Sequence, residues 1–239
     1  MIIEGKNAVS ELLDGSNTIE KILIHRGTQN NDLVTKIKRA GVMYQFVEKA
    51  ALDRLSKSKN HQGFIAFMTE YKYFDVKEII DGAYARGNQP LLLILDGVED
   101  PHNLGNIIRT AECMGVDGII LPKNRSVGVT ETAIRVSAGA ASHMPICKVT
   151  NINMEIENLK KAGFWIFAAS MGGVNIAQTN LTGPIAIVVG GENTGVRTLT
   201  KNVVDNVISI PMRGKVNSLN VANATAMVLY ETNRQRNKV

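Results

Sequence analysis

The 239-residue chain is poor in several things at once: two cysteines (Cys113 and Cys147), one tryptophan, four histidines, and aromatic residues at only 5%. Two cysteines cannot build a disulfide framework, and no Cys/His group stands at metal-ligand spacing, so no metal is expected. Both cysteines fall in apolar runs, which predicts two buried free thiols in a reducing compartment. No apolar run approaches the ~20 residues that cross a bilayer, so no membrane partner is expected. The opening stretch MIIEGKNAVSELLDG carries acidic residues and no continuous apolar core. It does not read as a secretory signal, and the expected location is the cytoplasm. Internal repeats, low-complexity tracts and a polybasic tail are missing too.

What remains is ordinary globular material, 44% hydrophobic and 21% charged, with a net charge of +5. The basic excess is spread along the chain. It suits a polyanionic partner without identifying one.

The pattern of apolar residues divides the chain into two blocks. In residues 1–70, NAVSELL reads as a helix, KILIH as a strand, NDLVTKIKRAG as a helix ended by Gly41, VMYQFV as a strand, KAALDRLSKS as a helix and GFIAFMTEY as a strand. That alternation predicts a small α/β unit. Residues 71–88, rich in aromatic and charged side chains and closing on Gly87 and Asn88, read as a linker or packed connector. Residues 89–239 open on PLLLILDG, an apolar run without alternation, as expected of a parallel strand covered on both faces. Strand and helix patterns then alternate to a final helix from about Ser218 to Arg234. The fold class is α/β with a mostly parallel sheet.

Ligands of parallel sheets sit beyond the carboxyl ends of the strands, and three loops there carry unusual polar residues. In DGVEDPHNLGNIIRTAE, Asn103 stands at or just before a helix start, as an N-cap or a functional amide. Leu104, Ile107, Ile108, Ala111 and Met114 form the core stripe of that helix, and Arg109 lies off it, a solvated arginine unless the site claims it. In VVGGENTGVR, Gly190 and Gly191 let backbone approach a ligand closely, and Glu192 follows at the strand end. The absence there and after the first strand of a G-x-G-x-x-G fingerprint disfavours a nicotinamide oxidoreductase. In ISIPMRGKVNSLNVANATAMVLYE, Arg213 and Lys215 flank a glycine as natural phosphate contacts, and Ser218 and Asn220 head a helix of small residues. Val221, Ala224 and Val228 of that helix offer apolar surface beyond what one sheet face needs.

Taken together, N-x-L-G-x-I-x-R-T-A, GGENTG and I-P-M-x-G-x-x-x-S-L-N-V resemble the three signature motifs of the SpoU, or TrmH-type, branch of the SPOUT methyltransferases. The match covers about residues 89–239. The first block, opening on EGKNAVSELL and closing on NHQGFIAF, looks like the substrate-binding domain of that branch, which resembles the ribosomal protein L30e fold. The whole arrangement is similar to bacterial 23S rRNA guanosine 2′-O-methyltransferases.

The resemblance implies a catalytic domain whose carboxyl-terminal part is tied in a trefoil knot, and a homodimer with each active site near the interface. It implies S-adenosylmethionine as cofactor, in a pocket formed around Ala169, Gly190, Gly191, Ile210, Met212 and Leu219. Carried over residue by residue, the catalytic candidates are Asn103, Arg109, Glu192, Ser218 and Asn220. Arg109 would clamp a phosphate and polarise the 2′-hydroxyl, since a guanidinium resists deprotonation. Lys57, Lys59 and His61 of the first block, with Arg213 and Lys215, would contact ribosomal RNA, either 23S or a ribosomal precursor. A transfer RNA ribose methyltransferase of the same family and a non-catalytic RNA-binding module are the alternatives.

Overall fold

The computed structural model describes residues 1–14, 18–56, 60–69, 71–192, 194–215 and 218–237. Lys57 and Lys59 lie outside them. The chain separates into two compact units, Met1–Lys72 with Gly128–Glu131, and Tyr73–Val127 with Thr132–Val239.

The first unit runs β1 (Ile2–Glu4), α1 (Lys6–Asp14), β2 (Thr18–His25), α2 (Asn31–Ala40), β3 (Tyr44–Val47), α3 (Lys49–Leu55) and β4 (Phe64–Thr69). Its sheet has the order β1-β4-β2-β3, with β2 and β3 parallel and the other pairs antiparallel. The alternation of β2 explains how two helical layers are held. Ile22 and Ile24 point into a core shared with α1 and α2, and Leu23 points the other way onto Leu52 of α3. Helix α2 ends at Gly41 as its sequence predicts, and the structure adds a cap at its start. Asn30 Oδ1 accepts from Leu33 N–H (3.1 Å), and Gly41 closes the last turn at φ +68. Strand β1, only three residues long, was not foreseen.

The second unit runs α4 (Val76–Ala85), β5 (Leu91–Asp96), α5 (Pro101–Cys113), β6 (Gly118–Pro122), α6 (Glu131–Val136), β7 (Ile146–Val149), α7 (Ile152–Lys161), β8 (Trp165–Asn175), β9 (Ile185–Gly190), α8 (Thr198–Lys201), β10 (Asn206–Ser209) and α9 (Val221–Asn237). Six strands in the order β10-β8-β9-β5-β6-β7 are all parallel. Leu91 to Leu95 in the middle are almost fully buried, as the unbroken apolar run predicts. Each such side chain contributes roughly 1.5–3 kcal/mol.

The stretch 71–88, read from sequence as a linker or packed connector, holds α4. Glu78 accepts from the Asp75 backbone N–H (3.2 Å) at its start, and Ile79 enters the core beside Leu92 and Ile94. Gly118 lets it dock, because a Cβ there would meet Ile79 Cγ2 at 2.5 Å. Three further differences matter. Cys147 is buried, but Cys113 is exposed, since it lies two residues past the last core position of α5, off the apolar stripe. Helix α9 starts at Val221 rather than at Ser218. Val221 and Val228 are spent in the unit's own core, and the exposed apolar side chains of α9 are Met227 and Tyr230.

Candidate active site

The carboxyl-terminal parts of β8, β9 and β10 meet at a cavity of about 390 Å³ in the second unit. A register jump builds one wall. Val207 of β10 pairs with Ala168 of β8, but the next residue, Ile208, pairs with Val174. Residues 169–173 of β8 are thereby skipped in the pairing with β10, and Ala169, Ser170 and Met171 face the cavity. Ile210, Met212, Ser218 and Leu219 of the loop between β10 and α9 form the opposite wall, and Gly190, Gly191 and Glu192 the floor between them.

The two glycines at the end of β9 are needed for a reason other than the one expected. A Cβ on Gly190 would fall 1.8 Å from the Gly195 carbonyl carbon, and one on Gly191 would fall 1.9 Å from the Gly97 carbonyl oxygen. The space their missing side chains leave is filled by the chain's own backbone. Gly191 N–H donates to Asp96 O (3.0 Å), and Gly195 N–H donates to Gly191 O (3.0 Å), so the loop folds back and seats against the end of β5.

The three polar motifs converge here through a directional chain of hydrogen bonds. Asn220 caps α9, its Oδ1 accepting from Ala222 N–H (2.9 Å) and Asn223 N–H (3.4 Å). Because the helix N-terminus offers only donors, the amide must present its oxygen to the helix and its Nδ2 outward. Nδ2 donates to Asn103 Oδ1 (3.0 Å), which turns the Asn103 Nδ2 toward Glu192, where it donates to Oε1 (2.5 Å). One polarity runs from helix α9 to a carboxylate at the cavity floor. Asn103 is buried and is not an N-cap. Asp100 fills that position, accepting from His102 N–H (3.1 Å), and Pro101 follows at the first helical position.

The remaining candidates divide. Ser218 lines the cavity. Arg109 is exposed on α5, six residues beyond Asn103, and is not among the described residues lining the cavity. Arg213 and Lys215 are exposed in the loop after β10. His61 is 5% exposed and structural in its contacts. Its Nδ1 accepts from Gly63 N–H (3.0 Å), which leaves Nε2 to donate to Asp53 Oδ1 (2.9 Å). A ring so placed holds a turn.

Sequence reasoning missed the clamp beneath the site. Asp96, fully buried at the end of β5, accepts from the backbone N–H of Arg197 (3.0 Å) and from its Nε (2.6 Å), and pairs with its Nη2. The available signal was a carboxylate ending a continuous apolar strand, since a buried charge needs a partner.

Comparison with known proteins locates the chain. The profile of the SpoU rRNA Methylase family matches residues 90–230, and that of the RNA 2′-O ribose methyltransferase substrate-binding domain matches residues 2–74. A protein of Staphylococcus haemolyticus assigned to the TrmH family of tRNA/rRNA methyltransferases is 40% identical over 100% of this chain and 97% of its own. The S-adenosylmethionine-bound structure of an rRNA methyltransferase from Sinorhizobium meliloti is 26% identical over 98% of this chain and 86% of its own, with a TM-score of 0.63. The tRNA modifying enzyme of A. aeolicus, 32% identical with a TM-score of 0.58, covers 63% of this chain and 77% of its own.

Proposed function

This chain belongs to the SpoU rRNA Methylase family and is an S-adenosylmethionine-dependent RNA 2′-O-ribose methyltransferase, and from that premise we propose that it methylates a guanosine ribose of 23S ribosomal RNA. The observation that carries the site assignment is the hydrogen-bond chain Asn220–Asn103–Glu192, which ties all three motifs to one cavity. The layout supports ribosomal RNA over transfer RNA. The S. meliloti rRNA enzyme aligns along both units, while the A. aeolicus tRNA enzyme aligns with less than two thirds of the chain.

The cofactor fits the cavity by chemistry. About 390 Å³ lies within the ~300–1,000 Å³ range of small-molecule sites. Part of its wall is backbone and soft apolar side chains, suited to an adenine ring: Ala169, Gly190, Gly191, Ile210, Met212 and Leu219 would hold it. When bound, the cofactor supplies an already activated methyl group. The tasks left to the chain are alignment of the ribose oxygen with that methyl and removal of the hydroxyl proton. Glu192, pinned by Asn103, sets the orientation at the reacting end, and Ser218 and Asn220 position the ribose. Arg109 would come from a second copy of the chain in a homodimer, clamping a phosphate and polarising the 2′-hydroxyl. Arg213 and Lys215 would hold flanking phosphates, and the first unit would bind the rRNA around its target. A trefoil-knotted path through the loops that build the cavity completes this reading.

The experiment is to map 2′-O-methylation across ribosomal and transfer RNA in cells with and without the gene. Loss of one 2′-O-methylguanosine in 23S rRNA is expected. Loss confined to a tRNA would overturn the substrate assignment and leave the reaction standing.

A further inference from the structure

Two of the described residues lining the cavity carry a formal charge, Glu192 and Lys201. Glu192 is committed to Asn103 and so marks the reacting end. Lys201 is the last residue of α8 and is half-buried. Its position is enforced from below. The residue before the helix, Arg197, is locked to buried Asp96 by backbone and guanidinium. Thr200, also buried, has its Oγ1 3.1 Å from Asn153 Oδ1 of α7. A helix anchored on both sides cannot roll, and it holds the Lys201 stem against the cavity.

S-adenosylmethionine has an adenosine, a sulfonium and an amino-acid tail bearing a carboxylate and an ammonium. The adenosine suits the part of the wall made of backbone and apolar side chains. The carboxylate does not, because a charge taken from water into such surroundings needs an opposite charge or several donors. Lys201 is the only cation among the described lining residues. We propose that Lys201 binds the carboxylate of the cofactor's amino-acid tail, so that Lys201 and Glu192 mark the tail end and the reacting end of one pocket. The assignment rests on reading this cavity as the cofactor site.

The tail is chemically unchanged by the reaction, and the product S-adenosylhomocysteine keeps it. Lys201 therefore stabilises cofactor, transition state and product alike. Such uniform binding appears in Kd and KM and leaves kcat at saturation untouched. This separates it from a residue acting on the methyl.

The test is calorimetry with two ligands on the full-length protein and on Lys201→Gln and Lys201→Arg. S-adenosylhomocysteine has the tail; 5′-methylthioadenosine has the same nucleoside and a thioether but no tail. Lys201→Gln should weaken S-adenosylhomocysteine about ten-fold or more, the size of a charge-assisted contact. It should leave 5′-methylthioadenosine binding unchanged, and Lys201→Arg should restore most of the loss. Equal loss for both ligands would overturn the proposal, because the side chain would then only shape the wall. So would no loss for either, or a loss of RNA affinity with S-adenosylhomocysteine binding intact. Wild-type protein that bound neither ligand would overturn the cofactor reading of the cavity and this assignment with it. Normal wild-type binding with an unaltered Lys201→Gln overturns the assignment alone.

Discussion

Asn103 is the residue on which the site's polarity turns, because it both accepts from Asn220 and donates to Glu192. Asn103→Ala removes both bonds, one of them to a carboxylate, costing about 1–3 kcal/mol of stability. The larger effect is on chemistry: single-turnover methyl transfer should fall on the order of 100-fold, as when one preorganised donor is lost. Affinity for S-adenosylhomocysteine should stay within a few-fold. Asn103→Asp is the sharper variant, since it keeps shape and acceptor but faces Glu192 with a second carboxylate. It should be at least as impaired as alanine, and near-normal transfer by it would show that the donor is irrelevant. The two thiols offer an independent check on the packing. Burial pushes Cys147 up to about 12, with the charges of Glu155 and Asp75 adding to the effect, so it holds its proton at neutral pH. Cys113 is exposed. Iodoacetamide at pH 8 should label the native protein once, at Cys113, and a second time only after denaturation. Rapid double labelling of the native state would contradict the buried placement of Cys147.

At the level of elements, the end of β9 is the tightest joint in the catalytic unit. Gly190→Ala drives a methyl into the Gly195–Val196 backbone, which has no flexible end to move aside. A loss of about 3 kcal/mol or more is expected, in the range reserved for severe core strain. Gly214→Ala, with nothing within 4 Å of its added Cβ, should be nearly neutral. Urea titration of both variants measures the contrast; similar midpoints would mean the β9 loop can yield. Long periodic elements were readable in advance. The stripe of α5, the continuous apolar β5 and the periodic α2 running to Gly41 each declare themselves over several residues. What escaped had a short or interrupted signal. Strand β1 is three residues long, α8 is four, and α4 carries Gly82 and Tyr84 within its pattern. The register jump past residues 169–173 is a property of the pairing between two strands, and neither strand alone encodes it. At the site, the loops and their polar residues were legible as motifs. The direction of the amide chain was not, since it follows from α9 starting at Val221 rather than at Ser218, and the Asp96–Arg197 clamp joins residues 101 positions apart.

For the whole molecule, the division into two units with separate cores predicts separable tasks. Residues 73–239 contain the cavity, its clamp and the full parallel sheet. Expressed alone, they should fold and bind S-adenosylhomocysteine as the full chain does. RNA affinity should drop, and its salt dependence should become shallower, because phosphate contacts release counterions in proportion to their number. RNA binding over a salt series for both proteins reads this directly. Identical slopes would mean that the first unit adds no phosphate contacts.

The wall of the cavity made by Ser218 and Leu219, and the amide of Asn220 that orients Asn103, come almost last in the chain. A ribosome adding ~5–20 residues per second exposes the first unit roughly ten seconds before it makes that wall. During translation the growing polypeptide can therefore meet RNA through its first unit while it still has no place for a methyl donor. A ribosome stalled before residue 220 would leave a fragment that occupies the substrate and never modifies it. Rescue of stalled synthesis thus bears on RNA modification itself as well as on the supply of intact enzyme.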